Sequence, residues 1–285
     1  MWDVIADTLL DSVKLLPFLF LTYLLLEFIE HKAKEKTEAI MRRSGALGPI
    51  IGGALGAVPQ CGFSASASNL YAENIITAGT LVAVFLSTSD EMLPVMIASK
   101  APALLIVKVI ASKVVLGIVF GLLIDLVMKL TGKAKKDIDI ESFCRDENCG
   151  CEEGNIFKSA LIHTLKIEAF VLIVSLVLNV IIFFVGEEAL GNVISGLPTV
   201  IGPLVTGIVG LIPNCAASVV ITELYLSGVI SSGSMLAGLL AGSGVGMLVL
   251  FKVNHSIKTN LAILGATYGA GVIVGIVVDL IGITL

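Results

Sequence analysis

Charge is scarce in this chain of 285 residues: only 14% carry one, against a mean hydropathy of +1.01. No single core in a soluble domain of this length hides so much apolar sequence. The deficit excludes a water-soluble globular protein and makes lipid the solvent for much of the surface. Histidine is scarcer still, at three residues, and forms no His-rich metal cluster. A Gly-x-x-x-x-Gly-Lys nucleotide loop is also missing, so any pumping must draw on an ion gradient or a partner subunit. No Ser/His/Asp set falls on facing segments, which leaves a membrane-embedded enzyme such as a thiol-dependent transferase without support. The expectation is a non-enzyme with no cofactor beyond a transported ion. The start "MWDVIADTLLDSVK" has no basic region, and no small-residue cleavage site follows its apolar run. Val13–Ile29 is therefore expected to be a retained transmembrane helix and not a signal peptide.

Long apolar runs are what the chain has instead. Val13–Ile29, Leu104–Met128, Ala169–Val185 and Leu261–Ile283 each suffice to cross a hydrocarbon core of about 30 Å as helices. The sequence also repeats itself, a feature to be sought before local structure. Shifted by 154 positions, "GPIIGGALGAVPQCGFSASASNLYAENIITAGTL" lies on "GPLVTGIVGLIPNCAASVVITELYLSGVISSGSM" without a gap. Gly48, Pro49, Pro59, Cys61, Ser64, Tyr71 and Gly79 meet Gly202, Pro203, Pro213, Cys215, Ser218, Tyr225 and Gly233, and farther on Gly117, Gly121 and Asp125 meet Gly271, Gly275 and Asp279. Shared apolar composition explains scattered Leu/Val matches but not aligned Pro, Cys, Tyr and Asp. The chain is read as residues 1–130, a first membrane repeat; 131–156, a cytoplasmic Cys-containing linker; and 157–285, a second repeat.

Short loops rich in Lys and Arg mark the cytoplasmic side. "HKAKEKTEAIMRR" is basic where its counterpart "GEEALGNVISG" has no Lys or Arg, whereas "KVNHSIK" is basic where the first half has only Lys100. The sides flip between halves. The expected fold is thus an all-α polytopic membrane protein of two inverted-topology repeats, about five membrane segments each, with both termini outside. Within each half, pieces such as Gly48–Val58, Cys61–Tyr71, Ile75–Leu86 and Met92–Ala98 are too short to span alone. Broken spanning helices and re-entrant hairpins both fit.

Irregular backbone at membrane depth must line protein or a water-filled cavity. Pro59 and Pro213 each remove a helical N–H and stop a helix. Paired interruptions in inverted halves point to a substrate site at the bilayer midplane, where carbonyl ends and N–H ends of half-helices hold ions. The expected substrate-binding residues are Gln60, Cys61 and Ser64 with Asn214, Cys215 and Ser218. Two thiols with two amides suit a thiophilic metal or metalloid. The competing account is that Cys and Ser are small residues for close helix packing.

Ionisable groups inside membrane segments mark function by default. "FLSTSDEM" carries Asp90 and Glu91, where the second half has "LLAGSGVGM". With Ser87, Thr88 and Ser89 these are hard oxygen ligands for a divalent metal such as manganese. A carboxylate that releases its metal can take up a proton, which would couple export to proton entry. The alternative is an ordinary helix N-cap at the interface. Glu223 is either a third acidic ligand or an interfacial charge. Lys108 and Lys113 either neutralise the acids, attract an anion or snorkel, and five residues apart they cannot share one face. The metal set expected is Asp90, Glu91, Cys61 and Cys215, with Asp90, Glu91, Lys108 and Glu223 as coupling or neutralising groups. Asp125 and Asp279 are assigned to structure, and His31, His163 and His255 to the interface. Cys144, Cys149 and Cys151 of the linker match no standard zinc spacing, so a soft-metal chelate and a solvated loop both stay open.

The "PQCG"/"PNCA" breaks, the ten-segment inverted layout and the "STSDE" motif resemble a bacterial family of ten-helix heavy-metal exporters, whose members are labelled arsenic efflux proteins or manganese transporters. The resemblance implies efflux of a metal or metalloid across the cytoplasmic (inner) membrane. It carries the site onto Cys61, Cys215, Gln60, Asn214, Asp90 and Glu91. The expected function is a secondary-active exporter of a divalent heavy metal, manganese first, with proton entry. The alternatives are a permease for trivalent arsenicals or another thiophilic compound, and a passive channel. Expected partners are the lipid bilayer, the metal or metalloid and a proton. Nucleic acid is not expected, and a homo-oligomer is left open.

Overall fold

Every regular element among the described residues is a helix, as lipid demands of backbone that cannot hydrogen-bond to water. The computed structural model describes residues 47–58, 61–89, 92–131, 156–185 and 200–285, together with helical positions between 8 and 24. Gln60, Asp90, Glu91, His31 and the linker cysteines lie outside the described residues, as do the side chains of Cys61, His163 and Cys215. The order is α1 (Gly48–Gly56), α2 (Cys61–Ala72), α3 (Ala78–Ser87), α4 (Met92–Ala98), α5 (Ala103–Leu130), α6 (Ile156–Val185), α7 (Ile201–Gly210), α8 (Cys215–Leu226), α9 (Ser232–Ala241), α10 (Gly246–Val253) and α11 (Ile257–Ile281). Among the described residues, four apolar stretches are long enough to cross a bilayer: Ala78–Ala98, Ala103–Leu130, Ser232–Val253 and Ile257–Ile281.

At α3 and α9 the helix start follows a side-chain cap more closely than hydropathy. The apolar run from Ile75 becomes helical only at Ala78, because Thr77 is extended and its hydroxyl accepts from Thr80 N. Ser231 does the same for α9, accepting from Ser234 N. Each cap is held from a neighbouring helix. Thr77 Oγ1 donates to Asp125 Oδ2 at 2.6 Å, and Gly79 N donates to Asp125 Oδ1 at 2.9 Å. In the second half Ser231 Oγ donates to Asp279 Oδ2 at 2.6 Å, and Gly233 N to Asp279 Oδ1 at 2.8 Å. A carboxylate thus sits on the positive end of α3 and another on that of α9. The same contacts recur at matching positions of the two repeats, and the aspartates assigned to structure do structural work.

The direction of each short helix follows from what its glycines touch. Gly48 lies against Thr80, and Gly56 against Val84 and Ser87, so α1 runs parallel to α3. Since α2 must lead back to the start of α3, α1 and α2 fold back on one another as a hairpin. Gly202 against Ser234 and Gly210 against Gly238 make α7 and α8 the matching hairpin. In contrast, α5 runs antiparallel to α3, with Gly121 on Gly79 and Gly117 on Ala83. Backbones this close need residues without side chains: a Cβ on Gly79 would collide with the Gly121 carbonyl and Asp125, and one on Gly233 with Gly275 and Asp279.

The halves interlock reciprocally. Helix α2 packs on α10, and α8 packs on α4. Ser68 Oγ, for example, donates to the Gly246 carbonyl at 2.7 Å. Helices α3 and α9 touch at the centre. The stretch Ser232–Val253 is largely buried, while Ala103–Leu130 is largely exposed and turns residues such as Leu104, Val115 and Leu126 outward. A second apolar cluster joins the N-terminal helical positions Leu19 and Tyr23 to α2, α6 and α10.

Candidate functional site

Two interrupted stretches and one hairpin tip meet at a cavity of about 20 Å³, room for roughly one water or bare ion. Its wall includes Thr88, Ser89 and Met92 from the gap between α3 and α4, Gly242 and Gly244 from the gap between α9 and α10, and Asn214, Ala217 and Ser218 from the start of α8. Lys113 of α5 closes one side. The gaps are where α3 and α9 stop and α4 and α10 begin, the places where helices run out of partners for their own backbone.

Ser87, Thr88 and Ser89 are buried. Thr88 and Ser89 are 3% and 1% exposed. Ser87 is turned away, its hydroxyl donating to Ala83 O and Val84 O within α3. Thr88 Oγ1 donates to Val84 O at 2.7 Å and Ser89 Oγ to Ser87 O at 3.2 Å, so each keeps oxygen lone pairs for a cation. Asp90 and Glu91 lie outside the described residues. In the chain they are the two residues between Ser89 and Met92, both of which line the cavity.

The hairpin residues divide. Asn214 caps α8, its Oδ1 accepting from Ala216 N at 3.0 Å, and it lines the cavity together with Ser218. Cys215 starts the same helix. Ser64 is elsewhere: it is fully buried against Gly246 and accepts through its carbonyl from Ser68 Oγ. The small residues of α2 serve the α2–α10 contact, so among described residues the cavity is lined from one hairpin only. Cys61 opens α2, and its neighbour Gln60 lies outside the described residues.

The two lysines of α5 part company. Lys108 is exposed on α5 and does not line the cavity, whereas Lys113 is 1% exposed and does. Five residues turn a helix by about 140°, so one lysine inside puts the other outside. Lys113 Nζ donates to the Leu239 carbonyl at 2.7 Å. Glu223 is likewise exposed, on α8, away from the cavity wall. Sequence reasoning passed over Gly242, Gly244 and the Leu239 carbonyl, because "LLAGSGVGM" offers no ionisable group. The signal was there in its glycines, aligned with "STSDE", and Gly244 takes the left-handed φ of 54° that favours glycine.

Among the described residues no group of three or more His, Cys, Asp or Glu converges. The oxygen donors at the cavity are hydroxyls, an amide and main-chain carbonyls, with an ammonium beside them. A cavity of this size, with polar groups set among apolar ones in its wall, fits passage or binding of a small ion in a multi-pass helical membrane protein.

Comparison with known proteins agrees with that class. No curated protein and no solved structure matches the chain. Residues 2–190, which take in the first repeat, the linker and α6, match the model of a family described as "Putative, 10TM heavy-metal exporter". The chain belongs to that heavy-metal exporter family.

Proposed function

We propose that the chain is a secondary-active exporter of a divalent heavy metal, manganese first, driven by proton entry. The observation that carries this is the cavity lined by Ser89 and Met92, the residues that flank Asp90 and Glu91 in the chain. Two carboxylates beside Thr88, Ser89 and Ser218 make a hard oxygen site of the kind manganese prefers. Cys215 and Cys61 add softer donors that widen the range toward other heavy metals. The hairpins α1–α2 and α7–α8 are read as re-entrant, and the two repeats as inverted. The recurrence of the Asp125 and Asp279 caps supports one fold used twice, and the flipped loop charges support its inversion. On this reading the metal enters from the cytoplasm, sits at the meeting of the two gaps and leaves outward when the carboxylates take up protons.

Transport in inside-out proteoliposomes under an imposed pH gradient tests the proposal. Manganese uptake should need the gradient and fall by about 10- to 100-fold in Asp90→Asn and Glu91→Gln, the loss typical of a weakened metal site. Uptake without a gradient would make the protein a channel. Retained manganese transport in both variants, with arsenical transport abolished by Cys61→Ser or Cys215→Ser, would transfer the function to the sulfur-seeking alternative.

A further inference from the structure

A buried ammonium is an odd wall for a cation site. Lys113 sits on α5, 1% exposed, and its Nζ donates to the Leu239 carbonyl at 2.7 Å. Leu239 is in the last turn of α9, which ends at Ala241, so its carbonyl belongs to the set left over at a helix C-terminus. Such carbonyls, at the negative end of the helix dipole, are what interrupted membrane helices use to hold cations. The ammonium already occupies one of them. The repeat shows that packing does not demand it. The matching residue in α11 is Thr267, equally buried, whose hydroxyl turns back to the Ile263 carbonyl of its own helix at 2.6 Å. The lysine belongs to the half with the acidic pair, Asp90 and Glu91, and the threonine to the half without one.

We propose that the Lys113 ammonium is a tethered cation that holds the cavity when no metal is bound and is displaced by the metal, which makes it the residue that sets preference for divalent over monovalent ions. The inference rests on the metal-export reading and names its selectivity element. A compact ammonium with three donors mimics a monovalent ion, and its tether keeps it at high effective concentration beside the carbonyl. A potassium or sodium ion entering the cavity would exchange one positive charge for another and gain nothing. A divalent ion exerts twice the attraction on the same oxygens, so it wins the exchange. When the metal leaves, the ammonium returns to Leu239 and closes the site behind it. The other cations placed on the helices around the cavity, Lys108 and Lys129 on α5 and Lys252 on α10, are exposed, so none can substitute.

Manganese binding to the full-length protein in nanodiscs, with and without potassium at about physiological ionic strength, tests this. In the wild type, potassium should barely change manganese affinity; strong competition there would overturn the inference without any variant. Lys113→Met and Lys113→Thr, the latter carrying the residue native to the second half, should bind manganese about tenfold more tightly at low salt, as expected when one like charge is removed. Both should also become sensitive to potassium. Lys113→Arg, which keeps the charge, should restore insensitivity. Affinity and potassium response equal to wild type in a monodisperse Lys113→Met or Lys113→Thr protein would sink the inference while leaving metal export standing. A wild type that binds no divalent metal would sink both.

Discussion

Asp125 and Asp279 show how far single residues decide this structure. Each carboxylate accepts one backbone N–H and one hydroxyl at the start of an inner helix. Asp125→Ala or Asp279→Ala strands those donors, and each should destabilise by about 1–3 kcal/mol, read as a lowered thermal midpoint in detergent. Metal selectivity should not change, since neither residue lines the cavity. A similar cost is expected for Tyr23→Phe. The Tyr23 hydroxyl donates to Asn69 Oδ1 at 2.9 Å and ties the N-terminal helical positions to α2. The two lysines of α5 make the contrast at the site. Lys108→Ala should leave vesicle transport at wild-type levels, because its side chain is exposed. At this scale the chain told residue types but not directions. "STSDE" announced polar chemistry, yet only packing separates Ser87, bonded into its own helix, from Thr88 and Ser89 on the cavity wall.

Helices are where the sequence was most legible. The short pieces read from composition match α1 to α4 within a few residues, because Pro, Gly and hydroxyl caps stop helices locally. What local chemistry does not contain is direction. Whether α1 and α2 continue one line or fold back depends on which neighbour Gly48 and Gly56 touch, and those neighbours, Thr80 and Ser87, are some 30 residues away. The close α3–α5 and α9–α11 contacts depend on Gly79 and Gly233. Gly79→Ala and Gly233→Ala should each cost about 1–3 kcal/mol or more by overpacking, seen as a fall in folded, monodisperse yield. Alanine at Gly269, which has nothing near its Cβ direction, is the control and should be tolerated.

The whole molecule adds the interlock. Because α2 reaches α10 and α8 reaches α4, each half supplies part of the other's packing. Residues 1–131 and 156–285 expressed as separate chains should therefore copurify, and either alone should be recovered poorly; efficient recovery of one half by itself would contradict that dependence. The sequence by itself determined the solvent, the repeat, the helix limits and the residue types gathered at the gaps, because hydropathy, aligned Pro, Cys and Asp, and capping chemistry are all properties of neighbours along a chain. Only the tertiary structure decided that one hairpin lines the cavity, that Lys113 and not Lys108 enters it, and that the glycines facing "STSDE" belong to its wall. Those choices are made by contacts between residues more than a hundred positions apart, such as Lys113 with Leu239, and chain-local rules have no term for them.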